Sequence, residues 1–347
     1  MTISRIEGHL VRYNSRIGQA RSSDYDSWES IAMEIILCHG SALLFWRRFT
    51  GDVRRLPAVP RLMASSDYPT IDDALLRELA GLGIAPPGEA PLHLLFANPS
   101  VRPKMPGVVA HLVTQVLPPN SFLRLSPHVL IVSPELCFVQ MADVLSFGHT
   151  ALIGCELCGS AAQVDGGLPD RRPLTSAAKI STFLAAAPRL GGAKQAKRVL
   201  PHLVDNAASP MEARLALLLS APTRLGGYGL PKPEMNRLFG LSREAQQLYP
   251  HDNCACDLFW PDRQVDVEYH GAGYHADEAA LIRDTARTQA LQCDGVSVVP
   301  LTYPQIADAA AFDSFARTLA KSLAHRIRIR SGNHPALAAQ LRAEMGL

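Results

Sequence analysis

The amino-acid sequence predicts an α/β protein with at least two domains. Apolar residues make up 47% of the 347 residues and charged residues 19%, which is typical of a folded globular chain. A chain of this length suffices for two or three domains with sizeable cores. Its C-terminal third predicts helix, strand, strand, helix, strand and helix in that order, which indicates layered α/β architecture.

Charge and hydropathy exclude several classes of protein. The formal net charge is +2, so we expect any nucleic-acid-binding surface to be a local patch. No uncharged apolar stretch reaches about 18 residues, which predicts no membrane-spanning helix and no membrane partner. The N-terminal residues lack the apolar segment of a signal peptide. Seven cysteines form no even set, and we expect a reducing cytoplasm.

Short apolar runs bounded by turn residues predict strands in the first half of the chain, over residues 92–97, 108–113 and 129–132. The sequence Ser133-Pro134-Glu135 predicts a helix start, because Ser caps, Pro suits the first turn and Glu faces the helix dipole. The helices predicted in this half cover residues 28–37, 71–79, 135–145 and 150–158.

Ser209-Pro210-Met211-Glu212 starts a further predicted helix in the same way. Beyond it, we expect strands over 255–260, 264–269 and 296–301, and helices over 277–293 and 313–330. Gly- and Pro-rich stretches at 81–91, 159–173 and 188–210 mark candidate boundaries. The predicted organisation is a mixed α/β interaction module over 1–190, a second domain over 199–331 and a tail over 332–347.

The segment from Cys256 to His275 carries the most informative chemistry. A tight turn joins two predicted strands and brings Asp257 and Glu268 onto neighbours about 4.8 Å apart. Two carboxylates at that spacing can share a divalent cation, with a carbonyl and waters completing an oxygen shell. Such a cation generates hydroxide and neutralises a scissile phosphate.

Other polar side chains are expected near the same hairpin. Glu212 on the preceding helix can reach it, and His270 and His275 can serve as base, acid or phosphate donor. Asp284 and Arg287 lie three positions apart, on one face of the following helix.

This ordered set resembles the PD-(D/E)xK restriction-endonuclease-like superfamily, and within it the branch similar to very short patch repair (Vsr) endonucleases. The resemblance covers about Ser209 to Ile306. It depends on Glu212, Asp257-Leu258-Phe259, Val267-Glu268-Tyr269-His270-Gly271, His275, Arg283-Asp284-Thr285-Ala286-Arg287 and Gly295-Val296-Ser297-Val298-Val299. His270 departs from the pattern, because the superfamily has Lys there and the Vsr-like branch usually has Asp.

The resemblance implies an αβββαβ core and a metal-dependent endonuclease that hydrolyses phosphodiester bonds. In that interpretation Asp257, Glu268 and the Tyr269 carbonyl hold Mg²⁺ or Mn²⁺, while Glu212 orients a water or second ion. His275 and His270 assist proton transfer. The expected nucleic-acid contacts, with DNA as the expected polymer, are Arg287, Lys194, Lys197 and Arg198.

The first half resembles AbiEi-type proteins, the antitoxin side of bacterial toxin–antitoxin and phage-defence systems. The likeness lies in Cys38-His39-Gly40-Ser41-Ala42-Leu43 with Trp46, in the strands that carry His93 and His111, and in the helix start at Val132-Ser133-Pro134-Glu135. It implies a cognate toxin or defence-system partner.

Plainer interpretations stay open at this point. Asp257 and Glu268 can be exposed hairpin acids, Glu212 a helix-start acid, and Asp284 with Arg287 a salt bridge along one helix. The pairs Cys155/Cys158 and Cys254/Cys256 suit either packing or zinc. The rival function is a non-catalytic AbiEi-like antitoxin or DNA-binding transcriptional regulator, and a third is a structural module of a defence complex.

Overall fold

The structure is a computed structural model that describes residues 34–59, 71–85, 90–97, 106–161, 171–271, 278–330 and 332–347. The protein is mixed α/β, and its described residues form two sheets, one in each of two compact units. The first unit comprises the described residues up to Leu145 and those between 162 and 200. The second comprises Ser146–Ala161 and Pro201–Leu347.

The first unit contains a six-stranded mixed sheet. The strands are β1 (Ile35–Leu37), β2 (Ala58–Val59), β3 (Leu92–Phe96), β4 (Val108–Leu112), β5 (Phe122–Arg124) and β6 (Val129–Val132). Their spatial order is β2-β5-β6-β1-β3-β4, with β1 parallel to β6 and antiparallel to β3, and β3 parallel to β4. The three strands predicted in this half lie at β3, β4 and β6.

Helices of the first unit start where the sequence supplies caps. Ser133 and Asp72 accept hydrogen bonds from the first helical turns of α3 and α2. Trp46 is fully buried, and its ring N–H donates to the carbonyl of Val132 at 3.0 Å, which ties the first helix to the sheet. The helices are α1 (His39–Arg48), α2 (Asp73–Gly81), α3 (Pro134–Val144), α5 (Ala177–Ala186) and α6 (Ala193–Val199).

The second unit contains a four-stranded sheet in the order β10-β9-β8-β7. Its strands are β7 (Glu234–Gly240), β8 (Asn253–Trp260), β9 (Val265–His270) and β10 (Ser297–Thr302). The first three are antiparallel neighbours, whereas β10 runs parallel to β9, with Ser297 opposite Val265 and Thr302 opposite His270. A parallel neighbour requires a crossover connection, and a helix supplies it here.

That crossover helix is α9 (Glu278–Cys293), and it packs against the sheet through a core that includes Cys254, Cys256, Phe259, Ala290 and Leu291. The other helices of this unit are α4 (Phe147–Cys158), α7 (Pro210–Ser220), α8 (Ala245–Leu248), α10 (Tyr303–Ala307), α11 (Ala309–Ser322) and α12 (His334–Glu344). Among the residues that the structure describes, no helix has the length and apolar run needed to cross a membrane.

Two predicted helices differ from the structure. Residues 28–37 were expected to be helical, yet Ile35–Leu37 is a strand. It lies between β6 and β3 in the sheet, and its three apolar side chains are buried. The remainder of that predicted helix lies outside the described residues. The helix predicted over 313–330 starts earlier, at Ala309, and ends at Ser322, since Ala324 has a left-handed φ of 49°.

The boundaries of the units also differ from the predicted domains of 1–190 and 199–331. Residues Ser146–Ala161 belong to the second unit, where α4 packs with α7. The segment 332–347, expected to be a tail, forms α12 in that same unit. Leu341 and Met345 are buried, and the guanidinium of Arg342 donates to the carbonyl of Ile306 at 2.5 Å. Apolar burial on one side of α12 therefore holds the segment in the fold.

Candidate functional site

The hairpin of β8 and β9 brings Asp257 and Glu268 close together. The backbone N–H of Tyr269 donates to Asp257 Oδ2 at 3.0 Å, which fixes the Asp257 carboxylate beside the end of β9. The pairing that sets this arrangement runs Leu258 to Val267, Phe259 to Asp266 and Trp260 to Val265. The expected meeting of the two acids on adjacent strands is present, and what they bind stays a prediction.

The two acids differ in their exposure to solvent. Glu268 is 4% exposed, whereas Asp257 is only half-buried and can be reached from outside. Burial raises the pKa of Asp257, although the Tyr269 N–H, Arg287 and His270 oppose the shift. Burial, and then the charge of Asp257, raises the pKa of Glu268. The pair is an electrostatically costly arrangement that a cation would relieve.

A third acid of the hairpin, Asp266, was missed in the sequence. It is fully buried two positions before Glu268, and burial followed by its contact with the Glu268 carboxyl raises its pKa. Within the described residues, both carboxylate oxygens of Asp266 and Oε1 of Glu268 have no hydrogen-bond donor. Because the pKa of Asp266 is raised to about 9, its carboxyl keeps a proton at pH 7, and it is the Glu268 carboxyl that this proton faces. The alternation Val-Asp-Val-Glu was the available signal.

Arg287, expected to contact nucleic acid, lies instead within the acidic cluster. Its guanidinium forms an ion pair with Oε2 of Glu268 and donates to the carbonyl of Ala255 at 3.0 Å. Burial alone would lower the pKa of Arg287, but the charges of Glu268 and Asp257 raise it above its ordinary value. The arginine therefore balances part of the negative charge inside the fold.

Glu212 also lies at this cluster, at the start of α7. Its Oε2 accepts the Ala208 N–H at 2.9 Å and the Asn236 amide at 2.5 Å, while Ser209 caps the helix through the Glu212 N–H at 3.1 Å. Burial raises the pKa of Glu212, the Ala208 N–H opposes that shift and the charge of Asp257 adds to it. Glu212 thus organises the helix start and lies close enough to Asp257 to interact with it.

Asn236 is a second residue that the sequence did not single out. It lies on β7, a strand that was not predicted, and has a left-handed φ of 48°. Its amide bridges Glu212 and the Asn206 carbonyl, at 2.5 and 3.0 Å.

Of the two histidines predicted for the site, the structure describes only His270. His270 is half-buried at the end of β9, and its charge acts on Asp257. Tyr269, whose carbonyl was the third expected ligand, is half-buried beside it. His275 lies outside the described residues.

The other expected contacts lie elsewhere. Lys194, Lys197 and Arg198 are exposed on α6 of the first unit, and Asp284 is half-buried on α9. The four cysteines of the pairs considered for zinc are all buried and form no disulfide, and Cys155 Sγ accepts the Val204 N–H at 3.4 Å. Among the residues with described positions, neither pair belongs to a set of three metal-ligating atoms within 4.8 Å of one another.

Comparisons with known proteins assign no function to these residues. No family model matches the chain. Two proteins of Mycobacterium tuberculosis, one from each of two strains and both described as uncharacterized, are 28% identical to it over 116 residues. That segment is 33% of this chain and 38% of the length of either relative. No solved structure matches.

Proposed function

We propose that the second unit is a nuclease that uses Mg²⁺ or Mn²⁺ to hydrolyse nucleic-acid phosphodiester bonds. Asp257 and Glu268, with the Tyr269 carbonyl, would hold the cation. When bound, the ion supplies Lewis acidity toward a phosphoryl oxygen and lowers the pKa of a coordinated water. DNA is the polymer we propose, by the resemblance to Vsr-like enzymes.

The observation that carries this proposal is a set of buried carboxyl oxygens, at Asp266 and Glu268, for which the described residues provide no donor. Carboxylate oxygens are the ligands that hard divalent cations prefer. Half-buried Asp257 supplies an accessible side to the cluster. A carboxylate cluster that served only as scaffold would be expected to have donors for its buried oxygens.

The element order supports the same proposal. From α7 through β7, β8 and β9 to α9 and β10, the chain runs helix, three antiparallel strands, helix and a parallel strand, with the one-turn helix α8 inserted between β7 and β8. This is the order expected for an αβββαβ endonuclease-like core. The candidate acids come from the helix start and from the two adjacent strands β8 and β9 of that series.

Three further side chains of this unit, Arg287, Glu212 and His270, would assist the metal-binding acids. Arg287 holds the Glu268 carboxylate in place through their ion pair. Glu212 is fixed by Asn236 and Ala208, and can orient a water molecule toward Asp257. His270, at the end of β9 and near Asp257, would accept or deliver a proton.

The test is nicking of supercoiled plasmid DNA by the full-length protein in Mg²⁺, Mn²⁺ or EDTA. We expect Asp257→Asn and Glu268→Gln to reduce metal-dependent nicking to background. The matched control is Asp262→Asn, because Asp262 is an exposed acid in the turn of the same hairpin. Unchanged cleavage in both site variants, with folding checked by circular dichroism, would refute the assignment.

A second function is favoured by two specific observations. Arg287 already engages Glu268, and His270 stands where the superfamily has Lys. Both suit an AbiEi-like antitoxin or DNA-binding regulator that keeps a nuclease fold for binding alone. A gel-shift assay in EDTA separates the two functions, since retained binding without cleavage in any metal supports the regulator.

The resemblance to AbiEi-type proteins also suggests a protein partner, and the cysteines suggest a compartment. A cognate toxin or another phage-defence component is the protein partner that we propose. None of the seven cysteines, all of which lie in the described residues, forms a disulfide, and six of them are buried, which supports the reducing cytoplasm as the working compartment.

A further inference from the structure

A second cluster of metal-ligating side chains lies in the first unit, apart from the acids considered so far. One ligand atom each from Cys38, His39 and His111 lies within 4.8 Å of the others. Cys38 directly precedes α1, His39 is the first residue of that helix, and His111 is on β4. The fold joins them through β3, because the Cys38 N–H donates to the carbonyl of His93 at 3.0 Å.

The side chains of this cluster face one another closely. His39 Nδ1 lies 3.2 Å from Cys38 Sγ, and the rings of His39 and His111 stack with centroids 3.5 Å apart and planes at 16°. On the far side, His93 Nδ1 lies 2.8 Å from His111 Nε2. A ring-nitrogen contact of this kind fixes the orientation of an imidazole whose other nitrogen binds a metal.

The backbone at His39 is held in an unfavourable conformation. Its φ is 46°, in the left-handed region that side chains with a Cβ rarely adopt. The His39 N–H donates to the side-chain carbonyl of Gln140 at 3.1 Å, which helps to hold the residue there. Local strain of this kind concentrates at binding and catalytic sites.

We propose that Cys38, His39 and His111 bind one zinc ion in the first unit, with His93 orienting the His111 ring. Thiolate and imidazole are both ligands that tetrahedral zinc accepts, and three of them leave a fourth position for a water molecule. Zn–N and Zn–S bonds of about 2.0 to 2.3 Å place tetrahedral ligand atoms about 3.3 to 3.8 Å apart. The His39 and His111 rings are stacked, so one of them must rotate out of the stack for both nitrogens to point at the ion. Binding releases the Cys38 thiol proton to solvent.

The first test is the metal content of the full-length protein, stripped with chelator and then dialysed against zinc. We expect about one zinc ion per chain in the wild type, and almost none in Cys38→Ser or His111→Gln. His93→Gln should still bind zinc, but about 10- to 100-fold more weakly, because His93 acts through the orientation of His111. The matched control is Cys137→Ser, a buried thiol whose Sγ lies 3.8 Å from the His39 carbonyl.

Cobalt(II) absorption and thermal unfolding of the wild type test the site even where a variant folds poorly. In the wild type, cobalt(II) should give thiolate-to-metal absorption, and zinc should raise the melting temperature of the stripped protein. Zinc uptake and the cobalt spectrum should survive Asp257→Asn, which separates this site from the nuclease proposal. A stripped wild type that takes up no zinc, or equal loss of zinc in Cys137→Ser, would overturn the assignment.

Discussion

The polar clusters of the two units are built from different donor atoms. In the first unit, a thiol sulfur and imidazole nitrogens lie together. In the second, carboxyl groups are buried, the described residues provide no donor for three of their oxygens, and Arg287 forms an ion pair with Glu268. Thiolate and imidazole ligands suit zinc-like ions and carboxylates suit magnesium-like ions, so the comparison predicts that the two clusters respond to different metals.

The largest expected effect concerns the charge balance of the second unit. Arg287→Met removes one partner of a largely buried ion pair and leaves the Glu268 charge uncompensated, so we expect the free energy of unfolding to fall by about 3 to 5 kcal/mol. Urea unfolding measures this. The control is Arg317→Met, because the Arg317–Asp313 pair on α11 is exposed and should contribute below about 1 kcal/mol.

A double variant sharpens the same prediction. Glu268→Gln combined with Arg287→Met should recover part of the lost stability, because neither charge is then left alone. Equal losses in Arg287→Met and Arg317→Met would show that Arg287 does not balance the acidic cluster.

The next largest effect is stabilisation by zinc, which should depend on the first cluster and not on the second. At zinc concentrations about 100-fold above the dissociation constant, zinc should stabilise the wild type by about 2.7 kcal/mol. Thermal unfolding should show this gain undiminished in Asp257→Asn and lost in Cys38→Ser. Conversely, Mg²⁺-dependent nicking should survive in Cys38→Ser. A zinc effect that depends on Asp257 would contradict the division into soft and hard sites.

A smaller effect comes from Asp266, whose two buried carboxylate oxygens have no donor in the described part of the chain. Asp266→Asn removes the cost of burying that acid, so we expect the free energy of unfolding at pH 7 to rise by about 1 to 3 kcal/mol. Asp262→Asn, at an exposed position of the same hairpin, should change it by less than about 0.5 kcal/mol. A loss of stability in Asp266→Asn would mean that its carboxyl makes a favourable interaction.

The sequence predicted that Asp257 and Glu268 meet in the hairpin, although it missed Asp266, because strand pairing across a short turn is local. The turn Pro261-Asp262-Arg263 and the apolar residues beside it indicate two paired strands, and pairing alone brings Asp257 to Glu268. Strand β7 was not predicted, since Glu234–Gly240 has no regular alternation and is exposed along much of its length. Asn236, which contacts Glu212, was missed together with that strand.

Long-range packing accounts for the rest. The Glu268–Arg287 pair joins residues 19 positions apart, and it depends on where α9 crosses the sheet. The Cys38–His39–His111 cluster depends on the spatial order β1-β3-β4, which no local pattern encodes. His93 and His111 were noticed only as strand residues. Their side-chain chemistry became visible once β3 and β4 were neighbours of β1.

The smallest expected effect tests whether the first unit contributes to nucleic-acid binding. Lys194 and Lys197 are exposed on α6, so each can neutralise one phosphate. Each Lys→Gln change should reduce the slope of log binding constant against log salt by about 1, with little effect on sequence preference. Fluorescence anisotropy over a salt series measures the slope, with exposed Lys321→Gln on α11 as the control. The slope counts the phosphates that the protein neutralises, whatever the base sequence. An unchanged slope in both α6 variants would therefore show that other residues make the phosphate contacts.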